Sequence, residues 1–130
     1  MTPDEMRAYI ETAPDPLDGP PIYSREIAAV KDATGMSEAY EVAAAAAAKA
    51  MLIVCLEDPS LLNVPSKEDD PTGIERAFAD AHWEKAKERW PGLDDWLGGI
   101  SGFQFGWANN AVRYALGVEP VGNPAIMSIG

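Results

Sequence analysis

The chain has 130 residues, 47% of them apolar, and its 21 acidic side chains against 10 basic ones give a formal net charge of −11. A length near the commonest domain size with an ordinary apolar share predicts a single domain, residues 1–130, around one core. The charge argues against generic attraction to nucleic-acid phosphates or an anionic membrane, so no direct nucleic-acid binding is expected and a charged partner should be basic.

Thr2 as N-cap, Pro3 at the first helical position and Asp4 and Glu5 in the first turn predict a short opening helix with Met6, Tyr9, Ile10 and Ala13 on one side. It should end before Pro14. The stretch Pro14-Asp15-Pro16-Leu17-Asp18-Gly19-Pro20-Pro21 is neither helix nor central strand, because its four prolines remove donors and fix φ; an ordered, wrapping loop is expected.

Ser24 can cap a second helix carrying Ile27, Val30 and Ala33, with Gly35 placed to stop it, and Ser37 then starts a third over residues 38–56. That third helix contains the alanines 43–48, which favour helix and let neighbouring backbones approach closely, so it belongs at the centre of a bundle. Its apolar run, 42–56, is shorter than the ~20 residues a bilayer needs and carries Lys49; a core helix is predicted, not a membrane span. Cys55, the one cysteine, lies within it and reads as a buried, unreactive thiol. An unpaired cysteine fits a reducing compartment, and the opening residues lack the basic start and apolar stretch of a secretory signal, so a cytoplasmic location is expected.

Residues 57–70 hold Pro59, Pro65 and several carboxylates and read as a connection, with Leu61, Leu62 and Val64 tucked against the core. Asp70-Pro71 repeats the cap-and-proline opening for a helix to about Trp90, with Ile74, Phe78, Ala81 and Trp90 buried and Glu75, Arg76, Glu84, Lys85, Lys87, Glu88 and Arg89 solvated. Pro91-Gly92 ends it, and residues 93–97 can add a turn. The last helix, 102–116, is capped by Ser101 and stopped by Gly117; its rows Phe103, Trp107, Ala111, Tyr114 and Phe105, Ala108, Val112, Leu116 imply burial on several sides. The fold class is therefore all-α: a compact bundle of about five helices with long proline-rich loops and an extended C-terminal tail.

Within the last helix, Trp107, Asn109, Asn110 and Arg113 are the candidate ligand- or partner-binding residues. Two asparagines in an apolar helix need hydrogen-bond partners if buried, and with Arg113 they share a face that either lines a polar pocket or ties down the loops and tail. The tail, 118–130, is too apolar to be free, so Val121, Ile126, Met127 and Ile129 either fold back over the bundle or form an interface in a homo-oligomer. His82 lies about 160° around its helix from both Asp80 and Glu84, which disfavours a metal site and places it on a solvated charged face.

Glu38-Ala39-Tyr40-Glu41 resembles the first carboxylate pair of the all-α nucleotide pyrophosphohydrolases, in which paired acids on two helices hold magnesium over a triphosphate. The later Glu-x-x-Asp of that family has no counterpart here, so Glu38 and Glu41 stand only as alternative metal ligands, beside the plainer reading of acids at a helix N-terminus. No cofactor-binding motif, phosphate loop, zinc spacing or nucleophile elbow occurs, and a lone histidine leaves little for a triad. No catalytic residue and no cofactor is therefore expected. The clusters Glu57-Asp58 and Glu68-Asp69-Asp70 allow a further reading, imitation of a phosphate backbone that blocks a nucleic-acid-binding protein.

Gly102-Phe103-Gln104-Phe105-Gly106-Trp107-Ala108-Asn109-Asn110-Ala111, followed by Gly122-Asn123-Pro124-Ala125-Ile126, resembles segments in small uncharacterised proteins of actinobacteria and their phages. The resemblance carries no activity. It implies a protein of a bacterial or phage-infected cell that works by binding other proteins, as a structural adaptor or an inhibitor of host machinery. The expectation is a non-enzymatic protein-binding or self-assembling accessory factor.

Overall fold

Six consecutive alanines present backbone and a methyl group at every angle around a helix, so a chain that folds about them can bring neighbours in from all sides. The computed structural model describes residues 1–22, 33–62, 68, 81–100 and 102–118, with backbone alone for 33–40 and 102–103. Among these residues stand five α-helices, α1 (Pro3–Glu11), α2 (Ala33–Glu57), α3 (Ala81–Arg89), α4 (Leu93–Leu97) and α5 (Gly102–Ala115), with a 3₁₀ turn at Pro59–Leu62. No strand occurs among the described residues, and the all-α class follows.

Helix α2 is the axis. Ala43 to Ala48, Ala50, Met51, Leu52, Val54 and Cys55 are all buried, and α5, α3 and α1 pack around it, with α4 and the 3₁₀ turn also in contact with it. Met6 and Ile10 of α1, Trp83 and Ala86 of α3, Leu93, Trp96 and Leu97 of α4, and Ala108, Ala111, Val112 and Ala115 of α5 join it in one continuous core. Trp83 also meets Phe105 edge-on, with ring centroids 5.9 Å apart.

Local chemistry sets the helix ends. Thr2 and Glu5 form a reciprocal capping box, each side chain accepting the other's backbone N–H at 3.1 Å. The hydrogen bond from the Thr2 backbone N–H, followed by that with the Thr2 side chain, holds the Glu5 carboxyl below its ordinary pKa. Helix α5 ends in a Schellman motif: Gly117 is left-handed at φ +74°, its N–H reaches the Tyr114 carbonyl, and the Val118 N–H reaches the Arg113 carbonyl at 2.8 Å.

The proline-rich loop is tied down at two points. Lys49, projecting from the axis, donates to the carbonyls of Glu11 (3.1 Å) and Ala13 (2.8 Å) and pairs with Asp15 at 2.7 Å. Helix α1 has no basic residue in its own last turn, so a lysine from another helix supplies the positive charge its C-terminal end favours. Further along, Trp96 donates its indole N–H to the Gly19 carbonyl at 3.3 Å. The wrapping loop expected from its prolines is thus held to α2 and α4.

The structure corrects several expectations. Gly35 does not stop a helix and Ser37 does not start one: α2 runs through both, because one glycine costs only about 1 kcal/mol and cannot interrupt a helix propagated by so long a favourable run. Ala81 is exposed, and α3 instead buries His82, Trp83 and Ala86. The solvated face placed on this helix holds for Glu84, Lys85, Glu88 and Arg89, but His82 is 0% exposed. The angle that separates His82 from Glu84 is also what turns it inward once Trp83 and Ala86 define the buried side. Tyr9, grouped with Met6 and Ile10, remains 42% exposed while they are buried. The helix expected after Ser24, Val64, Ile74, Phe78 and the tail lie outside the described residues.

Candidate functional site

Helix α5 carries Gln104, Asn109, Asn110 and Arg113, all buried, on a helix otherwise packed by alanine and valine. Arg113 is 2% exposed, and its Nη2 donates to the Leu62 carbonyl at 3.1 Å, at the end of the 3₁₀ turn, where carbonyls lie beyond the turn's own hydrogen bonds. The guanidinium lies near enough to the Cys55 thiol for the two to influence each other's titration. Burial lowers the Arg113 pKa, partly countered by Cys55. Burial also pushes the Cys55 thiol up to about 11, with Arg113 pulling it down and Asp58 pushing it up. The cysteine is therefore a free, buried, protonated thiol at neutral pH.

The candidate residues divide into two places. Asn109, Asn110 and Arg113 face the interior together, and Asn109 Oδ1 has no hydrogen-bond donor among the described residues. Trp107, half-buried on the same helix, instead meets Tyr9 edge-on, with centroids 6.3 Å apart and rings at 84°. Tyr114 further fastens α5 to the N-terminus by donating its hydroxyl to the Met1 carbonyl.

Tyr9, so backed by Trp107, forms one wall of an open groove of about 420 Å³ between the end of α1 and α2. Ala13 and Pro14 continue that wall, Val42 and Ala45 form the opposite one, and Glu41 supplies a carboxylate. Glu41 is exposed and makes no ion pair among the described residues. A second recess, of about 320 Å³, lies between the end of α2 and α3, where Arg89 pairs with Glu57 and Lys85 with Glu88. Asp58 also lines it and accepts from the Ser60 backbone N–H and hydroxyl.

Of the alternative metal ligands, the Glu38 side chain lies outside the described set, and no group of three or more metal-ligating side chains occurs among the described residues. Val121, Ile126, Met127 and Ile129 also lie outside it. Sequence reasoning missed Lys49 as a tether and Tyr9 and Pro14 as groove walls. A signal for Lys49 did exist: a lone lysine inside an apolar helix must find acceptors, and α1 ends without a cation of its own. No helix of the described residues is long and apolar enough to cross a membrane. Comparisons with protein-family models, with curated proteins and with solved structures found no match to this chain.

Proposed function

We propose that this chain is a non-enzymatic accessory factor that binds a protein partner of basic charge or assembles with copies of itself. The sign of its surface carries this reading. Every carboxylate whose side chain is described is exposed, whereas Arg113 is buried and Lys49 is turned onto backbone carbonyls. The other described cations, Arg7, Lys85, Lys87 and Arg89, each have a carboxylate beside them. Asp4, Asp18, Glu41, Glu68, Asp94 and Asp95 have none among the described residues, so the surface offers uncompensated negative charge to a basic partner. Work in a bacterial or phage-infected cell, as an adaptor or an inhibitor of host machinery, belongs to the same reading, and the free, buried Cys55 fits the reducing compartment it requires.

Light scattering behind size exclusion on the full chain, and on a version truncated after Gly117, at low and high salt tests the assembling half of this reading. A stable oligomer that becomes monomeric on truncation supports assembly through Val121, Ile126, Met127 and Ile129; a folded monomer in both versions removes it. Salt-sensitive binding of a basic protein supports the other half, and competition by DNA would select the nucleic-acid mimic among such binders. Magnesium-dependent hydrolysis of a nucleoside triphosphate that disappears in Glu41→Gln would overturn the non-enzymatic reading altogether.

A further inference from the structure

Among the described residues at the end of α1, two carboxylates hold cations. Arg7 lies 2.9 Å from Glu11 and Lys49 2.7 Å from Asp15, whereas Glu41, across the groove, has no cation among the described residues. It stands on a groove lined otherwise by Tyr9, Ala13, Pro14, Val42 and Ala45 and by Thr12, whose hydroxyl is spent on the Tyr9 carbonyl. Apolar side chains beside an uncompensated carboxylate are complementary to a long aliphatic stem that ends in a cation. Tyr9 is held edge-on against Trp107 and remains exposed, so its ring can flank such a stem or receive the cation on its face. The open volume, about 420 Å³, leaves room for one such side chain.

We propose that the groove between the end of α1 and α2 is a docking site for a single lysine or arginine side chain presented by a basic protein partner, with its head at Glu41 and its stem along Tyr9, Pro14 and Val42. This rests on the basic-partner reading above and gives it a place. Lysine and arginine are the side chains with the required stem and charge, and the surrounding net acidity draws a basic segment toward the groove before the specific contact forms.

The test is an amide chemical-shift titration of the full chain with short capped peptides that carry one lysine, one arginine or one norleucine, the last keeping the stem without the charge. The expected result is that shifts concentrate on residues 9–14 and 41–45, that the norleucine peptide binds about two- to five-fold more weakly, as an exposed ion pair implies, and that Glu41→Gln abolishes this difference. Tyr9→Ala should weaken all three peptides. Equal binding of norleucine, or indifference to Glu41→Gln, overturns the cation site. Shifts scattered over Glu84, Glu88, Asp94 and Asp95 with strong salt dependence also overturn it, while leaving the acidic-surface reading standing. If no peptide and no intact basic protein binds at low salt, both fall.

Discussion

Lys49 performs two tasks with one ammonium group, satisfying the Glu11 carbonyl that ends α1 and the Ala13 carbonyl just beyond it, and fixing Asp15 of the proline-rich loop. Lys49→Met keeps the aliphatic stem but removes these bonds, and should destabilise the fold by about 1–3 kcal/mol in a denaturant titration. Arg113 is the more demanding case, because it is buried and its loss leaves the Leu62 carbonyl without this donor. Arg113→Met should cost about 2–4 kcal/mol, measured the same way, and a loss below about 1 kcal/mol would mean that the turn does not depend on it. Cys55 gives a pH signature. Its thiol pKa rises from 9.0 to about 11 on folding, so the folded state holds its proton more tightly. That contribution is complete below pH 9 and is lost as the pH rises toward about 11. Wild type should therefore lose stability across that window more steeply than Cys55→Ala, and parallel pH profiles would show that the thiol is not desolvated.

At the scale of elements, the continuity of α2 through Gly35 makes a prediction of opposite sign to the one the sequence alone suggests. Gly35→Ala should stabilise by about 0.5–1 kcal/mol if the glycine is helical, and should destabilise if it is a left-handed stop. The sequence misleads at Gly35 because a helix stop depends on whether the residues beyond it can carry the helix on, and the alanines that do so begin eight residues later. Ends decided by adjacent residues were legible: the Thr2 cap, the Gly117 stop and the short helix after Gly92 all form where expected. Which side of α3 is buried was not legible. Ala81, His82 and Trp83 are consecutive, and the choice among them is made by Phe105 and by α2, far away in sequence. The same limit applies to the candidate site. The asparagines and Arg113 announce themselves as polar residues on an apolar helix, yet nothing near them in sequence names the Leu62 carbonyl. The groove is less legible still, because it exists only where residues about thirty positions apart, Tyr9 and Glu41, come together.

At the scale of the whole molecule, a net charge of −11 on a small bundle opposes compaction by self-repulsion. Raising ionic strength from about 0.01 to 0.15 M shortens the screening length from roughly 30 to 8 Å and should raise the melting temperature, as calorimetry would record; a fall would mean that favourable surface pairs outweigh the repulsion. The axis of the bundle bears on how freely the sequence can drift. Ala43, Ala46, Ala47 and Ala48 are fully enclosed, so each methyl stands where no larger group fits without moving a neighbouring helix. The stretch with the plainest alphabet in the chain is accordingly the one with the least latitude. In a library of single substitutions its positions should accept glycine or serine at a cost and little else, while the varied, charged faces beside it change freely.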